Sequence, residues 1–177
     1  AAHILFPQFK RGRHLSVVPI GIDQDPFIRL TRDVAEHKDF GFEKPAALHA
    51  KFIPSLAGGA KMSSSDAMQS VIYLSDSSEE VKKKINKYAF SGGKDTLEEH
   101  RKHGGDPDVD VSFQYLKFFF EQDDKKLKKI HDDYKSGKLL SGELKTILIE
   151  KINAFLKEHQ KKRKEAEKMI DKFILKN

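Results

Sequence analysis

The sequence predicts two layers of different kind in one chain: an α/β segment over residues 1–75 and an all-helical bundle over 76–177. Three observations predict this. A β-branched apolar run at residues 15–22 leads directly into a helix opened by Asp25-Pro26, which is the punctuation of a strand-helix unit. After Ser75 the apolar residues recur at helical spacing between charged ones. With 177 residues and no cysteine, the chain is long enough to bury a core without crosslinks.

Taken in order, Leu15-Ser-Val-Val-Pro-Ile-Gly-Ile22 reads as a buried strand of a parallel sheet. Asp23-Gln24-Asp25-Pro26 supplies a cap and a proline for a helix running to about Glu36, with Phe27, Leu30, Val34 and Ile28 as its apolar side. Ala46 to His49 is a second short strand, and Phe52-Ile53-Pro54 leads to the glycine pair Gly58-Gly59. Strand, helix, strand and loop form part of a nucleotide-binding, Rossmann-like sheet, whose ligands sit beyond the carboxyl ends of the strands. In the second half, Ser77-Ser-Glu-Glu caps a helix to Ala89 carrying Val81, Ile85 and Tyr88. Further helices are expected at about 95–103, 109–121, 123–135 and 141–173, the last with a buried stripe of Leu144, Leu148, Ile152, Phe155 and Phe173. Phe118-Phe119-Phe120, with Phe113 and Leu116, reads as core rather than as a base-stacking platform.

Composition narrows the function. Without cysteine there are no disulfides and no thiolate metal sites, and a reducing compartment such as the cytoplasm is compatible. No apolar run approaches the ~20 residues of a membrane span, and residues 1–7 lack the features of a signal peptide, so a soluble protein is expected. The net charge is +6, the pI is near 9.3 and 34% of residues are charged, which leans towards a polyanionic partner. The surplus is spread thinly, with 9 basic against 7 acidic residues before position 75 and 24 against 20 after it. Lys161-Lys162-Arg163-Lys164 therefore reads as a solvated helix face. The eight histidines make no metal pattern, since His100 and His103 lack a third ligand and fit exposed or lightly packed side chains.

The stretch richest in chemistry is Lys61-Met62-Ser63-Ser64-Ser65, introduced by Gly58-Gly59-Ala60 and closed by Asp66. Glycines free the backbone, a lysine brings a compact charge and three hydroxyls bring donors, which together make a clamp for the phosphates of a nucleotide triphosphate. The competing explanation is a serine-rich turn in which Ser65-Asp66 caps a helix.

The combination of the strand, Gly21-Ile22-Asp23-Gln24, the following helix and Lys-Met-Ser-Ser-Ser resembles a class I aminoacyl-tRNA synthetase. The second half sharpens the resemblance. Asn86-Lys-Tyr-Ala-Phe-Ser-Gly-Gly93, Glu98-Glu-His-Arg101, Gly105-Asp-Pro-Asp-Val-Asp-Val-Ser-Phe113, Gly142-Glu-Leu-Lys145 and His159-Gln160 are similar to tryptophanyl-tRNA synthetases of the eukaryotic and archaeal type, almost end to end.

The resemblance implies activation of tryptophan by ATP, with Mg2+ accompanying the ATP on no identified protein ligand, and transfer of the amino acid to tRNA(Trp). Its carboxylate nucleophile is already ionised at neutral pH, so positioning and charge neutralisation replace a general base. By motif, Lys61 stabilises the departing pyrophosphate, Ser63 and Ser64 donate to its oxygens, and Met62 lies near the adenine through its backbone. Gly21 lets the ribose approach, Asp23 accepts from a ribose hydroxyl and Gln24 holds the amino or carboxylate end of tryptophan. Helix capping competes as the role of Asp23 and Asp25. The helical half corresponds to an anticodon-binding domain, in which Lys94 meets phosphate and Asp95 accepts from a base amino group, with capping again the alternative for Asp95.

Departures set the limits of the resemblance. The His-Ile-Gly-His type signature and the segment that recognises the indole are absent, and Ala67 stands where the family usually has proline. The expectation is a carboxyl half that is inactive alone, belonging to a cytoplasmic protein whose full-length form is a homodimer. Two alternatives are a non-catalytic tRNA-binding module and the sister tyrosyl enzyme.

Overall fold

The structure, a computed structural model, describes residues 1–59, 62 and 70–172. These fall into two compact units, Ala1–Phe52 and Ile53–Asn177.

In the first unit, β1 (Val17–Gly21) and β2 (Ala46–Ala50) pair in parallel, in the register Val17 with Ala46 through Gly21 with Ala50. The expected strand-helix-strand order holds. Helix α2 (Asp25–Glu36) joins the strands after a single turn of 3-10 helix at Ile22–Gln24. An additional helix, α1 (Ala2–Arg11), precedes them despite an internal proline at position 7. Its Gln8 is buried and uses both ends of its amide, donating to the Glu43 carbonyl at 2.8 Å and accepting from the Glu43 N–H at 2.8 Å. The side chain thus satisfies backbone groups that a neighbouring strand would otherwise satisfy.

Two expectations for this unit are corrected. β1 is not a buried strand: Val18 and Ile20 are half-buried, whereas Val17 is 68% exposed, so only one face of the two-stranded sheet is covered. On α2 the residues that face inward are Ile28, Thr31 and Ala35, while Phe27 and Leu30 are exposed. Of the expected side Ile28 is buried and Val34 half-buried; apolarity alone misplaced Phe27 and Leu30 and missed Thr31, which can turn inward once its hydroxyl donates to the Phe27 carbonyl at 2.7 Å.

The second unit is helical: α3 (Ser78–Tyr88), α4 (Leu97–His103), α5 (Val111–Tyr115), α6 (Asp124–Lys135) and α7 (Ser141–Glu167). Each start has a local cause. Ser77 and Glu80 form a reciprocal capping box at α3, Thr96 accepts from Glu99 N–H at α4, and Asp123 accepts from Lys125 and Lys126 N–H at α6. The core joins Val81 and Ile85 of α3, Val111 and Phe113 of α5, and Leu144, Leu148, Ile152 and Leu156 of α7. Fully burying one such side chain contributes roughly 1.5–3 kcal/mol.

A π-helical turn at Leu116–Phe120, closed by Glu121 N–H to the Leu116 carbonyl at 2.9 Å, extends α5. Three successive residues of a helix point about 100° apart, so the phenylalanine triplet cannot all face the core. Phe120 packs against it, and Phe118 and Phe119 are exposed, against expectation. Likewise Phe155 is half exposed and stacks on His159, its expected place in the stripe being taken by Leu156. Phe173 lies outside the described residues.

Candidate functional site

At the carboxyl end of β1 the chain makes one tight turn, placing Gly21, Asp23 and Gln24 together where a parallel sheet presents ligands. Asp23 and Gln24 are exposed. Gly21 has ordinary extended geometry and is constrained by space: a β-carbon there would lie 2.8 Å from Asp23 Oδ1 and 3.2 Å from the Phe52 ring. For Asp25 the capping explanation gives way here to an ion pair. The position before α2 is held by Gln24 with no side-chain cap, Asp23 sits within the 3-10 turn, and Asp25 is the first helical residue. Asp25 Oδ2 accepts from Arg29 Nε at 2.7 Å and its Oδ1 meets His49 Nε2 at 2.8 Å. The Arg29 hydrogen bond, followed by that of His49, holds the Asp25 carboxyl below its ordinary value. His49 escaped sequence reasoning. It lies at the end of β2, one register step from the pair Gly21–Ala50, and the strand-end argument applied to β1 applies equally to it.

In the helical unit, the backbone leading towards the Lys-Met-Ser-Ser-Ser stretch is bound to the helices. Leu56 is fully buried, its carbonyl accepts from Phe90 N–H at 2.7 Å, and its own N–H donates to the Ser70 carbonyl at 3.2 Å. Tyr115 Oη donates to the Pro54 carbonyl at 2.9 Å, with Met62 Sδ 3.9 Å away. Burial pushes the Tyr115 phenol up to about 12. The Met62 N–H donates to the Ile53 carbonyl at 2.8 Å. Gly58, expected to loosen the backbone, occupies the left-handed region at φ 89° with its Cα against the Phe90 side chain, so here glycine permits a packed turn. Lys61, Ser63 and Ser64 lie outside the described residues.

The motifs of the second half, separate in sequence, converge on one buried carboxylate. Asp110 is 1% exposed and accepts four hydrogen bonds: Gly92 N–H (2.9 Å) and Tyr134 Oη (2.7 Å) on Oδ2, Ser112 N–H (2.8 Å) and Phe113 N–H (3.2 Å) on Oδ1. Tyr134, fully buried, also lies 3.0 Å from Ser141 Oγ, and burial together with the Asp110 charge drives its phenol upward. Under this network the Gly92-Gly93 turn has no room for side chains. A β-carbon on Gly92 would lie 2.0 Å from the Asp106 carbonyl oxygen, and one on Gly93 would lie 2.3 Å from Ser141 Oγ. His100 is buried, rather than exposed or lightly packed, and its Nε2 meets the Leu139 carbonyl at 2.9 Å.

The rigid turn ends in Lys94 and Asp95, both exposed and both without an ion pair or hydrogen bond among the described residues. Since Thr96 caps α4, capping does not account for Asp95. One turn beyond Ser141, the half-buried Lys145 has an ammonium lowered by burial and 3.5 Å from the Asn86 carbonyl. Among the described residues no cluster of His, Asp and Glu could hold a metal ion, and no helix is long and apolar enough to cross a membrane.

Comparison with known proteins places this geometry in context. Residues 2–157 match the family model of class I tRNA synthetases (W and Y). The chain is 54% identical over 173 residues to tryptophan–tRNA ligase of Sulfurisphaera tokodaii, covering 98% of this chain and 44% of that protein. It is 52% identical to the cytoplasmic tryptophan–tRNA ligase of Homo sapiens, covering 96% and 36%. The tryptophanyl-tRNA synthetase structure from Aeropyrum pernix superposes with a TM-score of 0.86 at 38% identity, over 98% of this chain and 47% of that one. The chain spans less than half the length of the curated relatives it matches.

Proposed function

The chain belongs to the class I tRNA synthetases of the tryptophan and tyrosine (W and Y) family, and we propose that it supplies the carboxyl-terminal half of a tryptophan–tRNA ligase. The observation that carries this reading is identity of about half, 54% and 52%, over nearly the whole chain to ligases named for tryptophan.

In the proposed reaction an oxygen of the tryptophan carboxylate forms a bond to the α-phosphorus of ATP while the bond from that phosphorus to the bridging oxygen breaks. The products are tryptophanyl-adenylate and pyrophosphate. No proton has to be removed from the nucleophile, so the residues act by placing charge. Lys61, with the Ser63 and Ser64 hydroxyls, neutralises the leaving pyrophosphate, and the Met62 backbone lies against the adenine. Its N–H donates to the Ile53 carbonyl. Gly21, Asp23 and Gln24 receive the ribose and the amino-acid end, a role supported by their grouping at the carboxyl end of β1. Mg2+ bound to the triphosphate would supply further charge neutralisation, on no identified ligand of this chain.

The residues 76–177 serve as the anticodon-binding domain, and 1–75 as part of the catalytic domain. Lys94 and Asp95, exposed and unpaired among the described residues on a turn held by Asp110, suit phosphate and base contacts of tRNA(Trp). The parent protein acts in the cytoplasm as a homodimer, and the 177 residues alone neither form adenylate nor select tryptophan.

The test is amino-acid-dependent exchange of pyrophosphate into ATP by a full-length protein carrying this sequence. Exchange with tryptophan and not tyrosine is expected. Exchange with tyrosine, or tRNA binding with no exchange at all, would overturn the assignment, and normal exchange by the 177 residues alone would overturn the division of labour.

A further inference from the structure

Tyr115 is buried in the core of the helical unit, where a phenylalanine ring would fill the same space. Its hydroxyl serves something other than packing. It donates to the Pro54 carbonyl at 2.9 Å and lies 3.9 Å from Met62 Sδ, so one oxygen touches both the backbone that leads into the Lys-Met-Ser-Ser-Ser stretch and a side chain within it. Those two contacts are tied to each other, because Met62 N–H donates at 2.8 Å to the carbonyl of Ile53, the residue before Pro54. Among the described residues no backbone N–H reaches the Pro54 carbonyl, which leaves the phenol as its donor.

The Met62 side chain is half-buried and forms one wall of an apolar cavity of about 130 Å³, with Ile53, Ile72, Tyr115, Phe119 and Phe120 among the others. A thioether suits such a seat, since it adapts its shape and makes favourable contacts with aromatic rings. The aromatic walls are placed by the π turn that begins immediately after Tyr115. It sets Phe119 edge-on to the Tyr115 ring at 6.4 Å and Phe120 against the core. Single π turns occur frequently at functional sites. The other end of α5 is fixed as well, because Asp110 caps it through Ser112 and Phe113 N–H. The seat therefore belongs to the rigid helical core, and Met62 is held by it.

We infer that Tyr115 is a positioning residue for amino-acid activation: through the Pro54 carbonyl and the Met62 side chain it sets where the Lys-Met-Ser-Ser-Ser backbone leaves the helical core. Lys61 precedes Met62 by one peptide unit, about 3.8 Å between α-carbons, so whatever anchors Met62 limits the point from which the ammonium reaches. The inference rests on the reading of Lys61 as the group that meets the departing pyrophosphate, and it adds a residue that acts through that group. A misplacement of about 1 Å can cost on the order of 100-fold in rate. The charge in question develops only as the bond to the bridging oxygen breaks, so the loss belongs in kcat and leaves tryptophan binding unchanged.

The experiment is tryptophan-dependent exchange of pyrophosphate into ATP by a full-length protein carrying this sequence, with Y115F and M62A made singly, together, and each in a Lys61→Gln background. Y115F keeps the ring and removes the donor, and M62A empties the seat from the other side, so either variant decides if the other fails to fold. Rates are taken below the onset of melting of every variant, followed by circular dichroism. Each single variant should lower kcat by about 10- to 100-fold with KM for tryptophan within about 2-fold of wild type. The Y115F/M62A double variant should lose no more than about 3-fold beyond the worse single one, because both act on one anchor. In the Lys61→Gln background neither substitution should cost more than about 3-fold further, since a residue that acts through the ammonium has nothing left to place. If Y115F and M62A keep kcat near wild type while Lys61→Gln loses it, the role of Tyr115 is overturned and the clamp stands. If their losses multiply in full onto that of Lys61→Gln, the tyrosine is merely structural and the inference is overturned. If wild type shows no tryptophan-dependent exchange, or Lys61→Gln exchanges as wild type does, the reading beneath falls and the inference falls with it.

Discussion

Replacing Asp110 by asparagine tests whether one buried carboxylate organises the turn that carries Lys94 and Asp95. The side chain keeps its size, but one of its two oxygens becomes a donor. If the remaining oxygen continues to cap α5 through Ser112 and Phe113, the amide nitrogen faces Gly92 N–H and Tyr134 Oη. Tyr134 can turn its hydroxyl to Ser141 Oγ, 3.0 Å away, and accept from the new amide. Gly92 N–H has no such escape and is left without a partner in a buried position, at a cost of about 1–3 kcal/mol. The other bonds lose the strengthening that an ionised acceptor gave them, about 1 kcal/mol more in total. D110N should therefore destabilise the chain by about 2–4 kcal/mol, lowering the melting temperature by roughly 5–15 °C. Urea unfolding followed by circular dichroism gives the value, with an unchanged m confirming that the native state is still compact. In a double-mutant cycle with Y134F the two losses should couple by at least about 1 kcal/mol. A D110N loss below about 0.5 kcal/mol, or strict additivity with Y134F, would refute the claim that this network bears on stability.

Three further outcomes are expected. Tyr115→Phe removes the donor to the Pro54 carbonyl and should cost about 0.5–1.5 kcal/mol. Because the folded phenol is raised from 10 to about 12, the stabilisation of its neutral form is complete below pH 10 and is lost as pH rises towards 12; alkaline unfolding of Y115F should therefore be less steep than that of wild type. Glu121 is held below its ordinary value of 4.5, first by Asp123 N–H and then by Lys151 at 3.0 Å. Its contribution is present above pH 4.5 and lost as pH falls through the lowered value, so E121Q should flatten the acid limb of the stability-pH curve and leave the curve above pH 6 parallel to wild type. Asp95→Asn, at an exposed position with no partner among the described residues, should leave the melting temperature within about 1 °C while weakening binding of the cognate anticodon stem-loop by about 1–3 kcal/mol, measured by fluorescence titration.

Much of the fold was legible because its signals are local. Ser77 with Glu80 announces α3, and the β-branched run before Gly21 announces β1. What was hidden depends on distant partners. Gln8 makes α1 worthwhile by pairing with Glu43, 35 residues away, and nothing around Pro7 hints at that. Thr31 enters the α2 interface only because its hydroxyl has the Phe27 carbonyl to satisfy it, so apolarity alone chose Phe27 and Leu30. A π turn set Phe118 and Phe119 outward, and such a turn has no simple sequence signature. The site divides in the same way. Gly21, Asp23 and Gln24 stand together as adjacent residues of one turn. The shared dependence of the Phe-Ser-Gly-Gly and Val-Asp-Val-Ser-Phe segments on Asp110 appears only in three dimensions, where residues 18 and 24 positions apart meet. His49 was overlooked because its partner, Asp25, lies on another element.

The most direct test of the proposed chemistry is tryptophan-dependent exchange of pyrophosphate into ATP by a full-length protein carrying this sequence, with Lys61 and with Lys61→Gln. Loss of the ammonium should lower the exchange rate by about 100- to 1,000-fold, as expected for a group that meets charge developing on a departing phosphate, with tryptophan binding at equilibrium little changed. An exchange rate in the glutamine variant within a few-fold of wild type would contradict the phosphate-clamp assignment.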